Sequence, residues 1–297
     1  MKNLKLAAVC LSCLTMTGCS ALNFSVEGLI NAPKLTSEQS EIHQALIESV
    51  GSNITLKYPK NGEYRSAYVI ANIDDEPTDE AMVFYEYTSN GSEEDGLRVN
   101  ILDKDEDGKW YSVKELAGAG TDIDQVIISP MGSNNQTDVF VGYQNLTNDE
   151  KTMEIYSYTD GDFKRVALDT YSVLEPLDIN NDGYIELITI QRSTNNDTGA
   201  VTAKASMLNM KNNEITRGEN VDMCDNVTSY VSSKTGMLDS GRRAIFIDGL
   251  TADGKLQTEI IYYRYSGLQN PMQLRSEKLL PLCTRPAGYY SEDMDGD

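Results

Sequence analysis

Oxygen-bearing side chains occupy alternate positions in Asp178-Ile179-Asn180-Asn181-Asp182-Gly183-Tyr184-Ile185-Glu186. Asp178, Asn180 and Asp182 take positions 1, 3 and 5, glycine takes position 6, and a carboxylate closes the run at position 9. Alternate oxygens on a tight loop converge on one hard cation, and a backbone carbonyl near Tyr184 adds a further ligand. Gly183 lets the chain turn sharply behind them. The next residues, Leu187-Ile188-Thr189-Ile190, are apolar or β-branched, so the loop feeds a strand. A helix-flanked calcium loop closes on a bidentate Glu at position 12. Position 12 here is Thr189, inside that strand, which excludes this architecture. The expectation is a Ca2+ loop set into a β-sheet, weighed against a plain solvated turn, which Asn and Asp also favour.

The pattern recurs. Asn72, Asp74, Glu76 and Glu80 have the same spacing ahead of Ala81-Met82-Val83-Phe84-Tyr85, with Pro77 in place of the glycine. Proline cannot take the positive φ that glycine allows, so this copy is expected to bind more weakly or stay empty. Two sparser copies are Asn134–Asp138 ahead of Val139-Phe140-Val141, and Asp239–Arg243 ahead of Ala244-Ile245-Phe246-Ile247. The residues just before each strand are Glu80, Asp138, Glu186 and Arg243, at steps of 58, 48 and 57. A fifth copy opens with Asp293, Asp295 and Asp297 at positions 1, 3 and 5, and the sequence stops before its glycine.

A period near fifty residues made of strands and turns is the sequence form of propeller blades. In the repeats, Met153–Tyr158, the turn Asp160-Gly161-Asp162 and Phe163–Leu168 follow the motif strand, while Ser66–Ala71 and Asp124–Ile128 supply strands before it. Asp103-Lys104-Asp105-Glu106-Asp107-Gly108 also spells the cation pattern, but Tyr111 and Lys114 stand at positions 9 and 12. It reads as a hairpin turn between Arg98–Leu102 and Trp110–Val113, as does Ala252-Asp253-Gly254. Thr36 with Gln39 forms a helix-start signal, and Ile42, Ala45, Leu46 and Val50 follow at helical spacing up to Gly51.

The loop Asp178–Glu186 with its apolar strand resembles the FG-GAP/VCBS repeats of integrin-like β-propellers found in bacterial surface proteins, over residues 63–297. The opening Gly28-Leu29-Ile30-Asn31-Ala32-Pro33-Lys34-Leu35-Thr36 resembles clostridial lipoproteins of this repeat type. The resemblance implies a calcium-stabilised propeller on a cell surface and implies no reaction. The expected fold is therefore all-β: about four four-stranded blades (63–118, 119–169, 170–221, 222–282) and a truncated fifth (283–297). A signal peptide, a tether and one short helix with its lead-in (36–62) precede them. Four blades and a cut fifth leave a sheet edge exposed unless the ring closes at four, so the encoded protein is expected to continue beyond Asp297.

Lys2 and Lys5 followed by the apolar Leu6–Leu14 have the form of a signal peptide too short to span as a mature helix. Met16-Thr17-Gly18-Cys19 resembles a lipobox, which implies a lipid on Cys19, a tether over 19–35 and an extracytoplasmic, membrane-anchored protein. An ordinary secretory peptide cut elsewhere and an uncleaved anchor are the competing readings. Loss of residues 1–18 takes the formal charge from −21 to −23. Such a charge repels phosphate backbones, so nucleic acid is not an expected partner. Cys224 and Cys283, 59 apart, read as two buried thiols in preference to a disulfide.

His43 is the only histidine, so a catalytic triad or a His-based metal centre has nothing in the repeats to build on. Acids are plentiful, and a glycosidase-type carboxylate pair is open to them, but no pair stands out. The leading expectation is a non-catalytic binding or scaffold module with a protein or glycan ligand of the cell envelope. The alternatives are a hydrolase acting on glycan or peptide through paired carboxylates, and a purely structural propeller in an envelope assembly. The 17 tyrosines could form a sugar-stacking face, though strand packing accounts for most of them.

Overall fold

The computed structural model describes residues 35–88, 96–130, 137–145, 150–195, 197–211, 214–225, 227–239, 242–264 and 267–275. The described residues from 41 onward form one compact unit. Cys19, Cys283, Asp293, Asp295 and Asp297 lie outside the described residues, as do Asn134 and Asn135.

The fold is all-β apart from one helix, α1 (Ser37–Val50). Thr36 and Gln39 cap it reciprocally: the Gln39 N–H donates to Thr36 Oγ1 and the Thr36 N–H to Gln39 Oε1, both at 3.1 Å. Gly51, at φ 86°, takes the left-handed conformation that ends the helix.

Four antiparallel sheets follow in chain order. The first contains β1 (Ile54–Leu56), β2 (Tyr68–Ala71), β3 (Glu80–Tyr87), β4 (Leu97–Lys104) and β5 (Trp110–Ala117). Its fifth strand does not widen it, because β1 pairs with residues 85–87 of β3 and β2 with residues 80–83, along one edge. The second comprises β6 (Asp122–Pro130), β7 (Thr137–Gln144), β8 (Lys151–Thr159) and β9 (Asp162–Tyr171). The third comprises β10 (Val173–Leu177), β11 (Glu186–Thr194), β12 (Val201–Lys211) and β13 (Glu214–Asp222). The fourth comprises β14 (Val227–Asp239), β15 (Arg242–Thr251), β16 (Leu256–Arg264) and β17 (Gly267–Arg275). Strands in the last three sheets pair in the order in which they occur. The Asp105–Gly108 segment is the β4–β5 hairpin turn, with the Gly108 N–H donating to the Asp105 carbonyl at 2.8 Å. Thr251–Gly254 closes in the same way at 2.9 Å.

The sheets stack in series because their second strands are apolar on both faces. Along β7, Val139, Val141 and Tyr143 pack on the first sheet with Met82, Phe84 and Val99, while Phe140 packs on the third with Leu174 and Leu187. Along β11, Leu187 faces the second sheet, and Ile188 and Ile190 face Ile245 and Ile247 of the fourth. Alternate strand residues point to opposite faces, so a run of consecutive apolar residues demands cover on both sides. On β3 the second cover is α1: Ala81, Val83 and Tyr85 pack against Ile42, Ala45 and Leu46. Leu46→Ala, at a fully buried position, is expected to lower unfolding free energy by about 2–5 kcal/mol. The exposed Glu48→Ala should change it little, and urea denaturation of the two variants checks the difference.

Candidate functional site

The loops entering β11 and β3 are built alike. In both, the position-9 carboxylate turns back and accepts the N–H of position 2: Ile179 to Glu186 Oε2 at 3.0 Å, and Ile73 to Glu80 Oε2 at 2.8 Å. The position-5 N–H donates to the position-3 side chain, Asp182 to Asn180 Oδ1 at 2.8 Å and Glu76 to Asp74 Oδ1 at 2.7 Å. Ile73 and Ile179 are buried and pin each loop to the core. In the Asp178 loop that residue's carboxylate also accepts the N–H groups of Asp182 and Gly183, at 3.0 and 3.2 Å. Asn181 and Gly183 supply the positive φ angles, 61° and 94°. Tyr184 is exposed, and its N–H donates to Asp182 Oδ1 at 2.9 Å.

The loops differ in what neutralises them. Asn180 Nδ2 bridges Asp182 Oδ2 and Glu186 Oε1, each at 2.9 Å, so an amide stands between two carboxylates. Arg243, at the corresponding place before β15, reaches across to the Asp178 carbonyl at 3.0 Å and its carboxylate at 3.1 Å. Position 3 of the first loop is Asp74, which has no amide to offer. Glu80 there is 2% exposed, and its Oε1 has no hydrogen-bond partner among the described residues. Asn72 Nδ2 is spent on the Glu76 and Thr78 carbonyls, at 2.5 and 3.1 Å. Among the described residues, no group of three or more His, Cys, Asp or Glu side chains is gathered tightly enough to hold a metal.

Of the sparser copies, Asp138 is buried and accepts a hydrogen bond from Ser157 Oγ.

Burial pushes the Glu80 carboxyl up to about 7, with Asp74 and Asp103 adding to it against the opposing Ile73 N–H. Burial likewise raises Glu186 to about 6, with Asp182 and Asp178 contributing. Asp74 is raised for the same first reason. A carboxyl raised above its unfolded value holds more protons in the folded state between the two pKa values, so stability falls as pH rises through that window. In chelator, the parent protein is expected to lose stability from about pH 4.5 to 7. Glu80→Gln should remove part of that slope, as thermal denaturation of parent and variant across pH 4–8 would show.

A second feature gathers residues from all four sheets. A cavity of about 510 Å3 is lined by Asn61 and Gly62 of the β1–β2 loop, Asp124 and Gln125 of β6, Leu174 and Glu175 of β10, and Ser232 and Ser233 of β14. Backbone and side chains link these segments in sequence. The Asn61 N–H donates to the Asp124 carbonyl at 2.7 Å, Gln125 Nε2 to the Leu174 carbonyl at 3.2 Å, and Ser233 Oγ to Glu175 Oε1. An adjoining cavity of about 330 Å3 shares Lys151, Ser172 and Tyr230 and adds Gln144, Asn145, Arg192 and Ser229.

Asp124 anchors this region. It is 1% exposed, pairs with Lys151 at 2.9 Å, and accepts from Tyr171 Oη at 2.6 Å and Asn61 Nδ2 at 2.8 Å. Burial alone would raise its carboxyl, but Lys151 and the Tyr171 hydroxyl outweigh it and hold the group below the usual range. Tyr171 reaches Asp124 over Gly142, where any Cβ would collide with its hydroxyl. Glu175 shifts the opposite way, raised by burial against its Ser233 bond. The sole histidine packs on the first sheet, its Nδ1 2.8 Å from Tyr68 Oη. Cys224 is buried, its N–H donating to Glu259 Oε2 at 2.9 Å.

No protein-family model and no curated protein matches the chain. Among solved structures it is similar to a rhamnogalacturonan lyase PL11 of Bacillus licheniformis, at TM-score 0.38 and 7% identity, over 75% of this chain and 54% of that one. It is also similar to rhamnogalacturonan lyase YesW, at TM-score 0.39 and 9% identity with the same coverage. The chain thus spans about half the length of each. Likeness at this level carries no inference about reaction or substrate.

Proposed function

We propose that this chain is an extracytoplasmic β-propeller module, held to the membrane by a lipid on Cys19, that binds or scaffolds an envelope ligand without catalysis. The observation that carries the reading is the ordering of the four sheets. Each is an antiparallel meander stacked on the next, and their leading segments surround one cavity. That is how blades sit about a propeller axis. The matched loops before β3 and β11 support the repeat, since the same two hydrogen bonds recur at the same positions.

The loop oxygens suit a hard divalent cation, which would bind through Asp178, Asn180, Asp182, Glu186 and the backbone near Tyr184, and more weakly or not at all through Asn72, Asp74, Glu76 and Glu80. The orphaned Glu80 Oε1 and the carboxylate-bridging Asn180 amide mark where positive charge is wanted. Bound Ca2+ would neutralise these carboxylates and tie each loop to its strand. A ligand that binds only the folded state stabilises it by about 2.7 kcal/mol at a hundredfold excess over Kd. Calcium added to chelated protein is therefore expected to raise the melting temperature. Asp178→Ala combined with Asp182→Ala should abolish most of the rise due to the β11 loop, and an undiminished response in that variant would refute the assignment.

Anchoring is tested separately. Cys19→Ala is expected to release the protein or leave it unprocessed, and metabolic labelling with a palmitate analogue reads the lipid directly.

One observation favours a hydrolase as the second reading. Asp124 and Glu175 line one cavity with pKa values pushed apart, the pattern of an acid and a base. Asp124 is already saturated by Lys151, Tyr171 and Asn61, which favours a structural role for it. Glycan cleavage by the parent that is lost in Glu175→Gln would establish the hydrolase and overturn the non-catalytic reading.

A further inference from the structure

We infer that an alkali-metal cation binds in the interior between the third and fourth sheets, held by the Glu259 carboxylate of β16 with the side-chain oxygens of Asn270 and Tyr230. The site is separate from the calcium loops and stands whether or not the module binds an envelope ligand.

Glu259 is 1% exposed. Its Oε2 accepts two hydrogen bonds, from the Cys224 N–H at 2.9 Å and from Asn270 Nδ2 at 2.8 Å. Its Oε1 has no partner among the described residues, and neither has Asn270 Oδ1. These two oxygens belong to groups that already share a hydrogen bond, so they lie close together. The Tyr230 hydroxyl is a third buried oxygen without a described partner. Burial raises its pKa and the Glu259 charge adds to the rise, yet no hydrogen bond joins the two. Clustered oxygens of this kind are satisfied together only by something positive placed among them.

The second sheet shows which charge is missing. Glu154 of β8 lies opposite Val141 as Glu259 lies opposite Ile247, and Val141 and Ile247 both face the preceding sheet. Glu154 is also 1% exposed. There Arg165 of β9 pairs with Glu154 Oε1 at 2.5 Å, and Tyr156 Oη donates to Oε2 at 2.5 Å. Arg165 stands opposite Tyr156, two residues beyond the glutamate. The matching place in the fourth sheet is the β16–β17 bulge at Ile261, and Asn270 lies in it. An amide thus replaces a guanidinium. It keeps a hydrogen bond to the carboxylate and brings no charge. Arg192, whose charge reaches Tyr230, is turned to the Thr228 carbonyl and Ser172 Oγ.

The balance of charge selects the ligand. A buried carboxylate is costly unless it is paired. One positive charge neutralises Glu259, whereas a divalent ion would leave a net charge in the interior. Carboxylate, amide and phenol oxygens are hard ligands and suit a hard cation. Gln257 Nε2, unpartnered among the described residues and two positions along the same strand face, can answer a hydrogen bond but not the charge.

The test is the melting temperature of the full chain, in detergent and chelator, as sodium or potassium chloride replaces choline chloride at constant ionic strength. Either metal ion is expected to raise it saturably above its value in choline, a cation too large for the site. Glu259→Gln keeps the shape and removes the charge, and should weaken the apparent affinity at least about tenfold. Asn270→Arg places a guanidinium where the second sheet has one, and should make stability independent of the cation. Thallium(I), an alkali-cation stand-in with strong anomalous scattering, should give a peak beside Glu259 Oε1 in crystals of the parent protein, a readout that needs no variant to fold. Equal melting in all three salts, or no thallium at Glu259, overturns the site and leaves the carboxyl to a proton or a water. A response kept in Glu259→Gln but lost in Asp178→Ala with Asp182→Ala would put the ion in the β11 loop and also overturn it.

Discussion

The structure depends on one constraint: the second strand of each sheet is apolar on both faces. Ala81–Tyr85, Val139–Val141, Leu187–Ile190 and Ala244–Ile247 leave no side for water. The sheets therefore stack in series, and α1 supplies the outer cover where the first sheet has no predecessor. The outer face of the fourth sheet, Ala244, Phe246 and Ile260, packs among the described residues only with Leu238 and Tyr262 of the same sheet. Stacking meanders with their leading strands on the same side brings Asn61, Asp124, Glu175 and Ser233 together. The cavity is thus a consequence of burial elsewhere.

The same constraint explains the strained electrostatics of the loops. A carboxylate at position 9 lies at the mouth of a strand whose every neighbour is buried. Glu80 is enclosed because Ile73 and β3 are enclosed, and its one bonded oxygen is held by the Ile73 N–H. Burial disfavours the charged form, which is why a backbone N–H, an amide, a proton or a cation must answer it. The β11 loop answers with Asn180 and Arg243, the second drawn from the following repeat. The β3 loop has Asp74 where the amide would be, so its carboxyl rises further.

Much of this was legible in the sequence. The helix announces itself through Thr36 and Gln39, and the central strands through apolar runs that are short and β-branched. The Asp105–Gly108 turn was separable from the cation loops because Tyr111 stands where a carboxylate would close it. Other features gave no local sign. The strand β1 is three residues long and joins a sheet by pairing along an edge already used by β2. His43 on α1 faces Tyr68, a partner 25 residues away that no local pattern shows. Arg243 reads as a failed copy of a ligand position until the fold brings it to Asp178.

The cavity escaped a motif-based reading for a different reason. Its residues are ordinary singly and are spread one or two to a repeat, so no window of sequence contains the site. Only the period carries a trace. Gln125, Glu175 and Ser233 recur at about the repeat length, each polar and each on the leading strand where an outward or apolar residue would serve stability better. Gly142 is a second trace, since a glycine inside a buried strand marks a close approach, and here the approaching group is the hydroxyl that steadies Asp124. In a repeat protein the apolar positions that recur build the stack. The polar positions that recur on its inner line are therefore where a site is to be sought, because burial there has to be offset by partners that the stack itself does not provide.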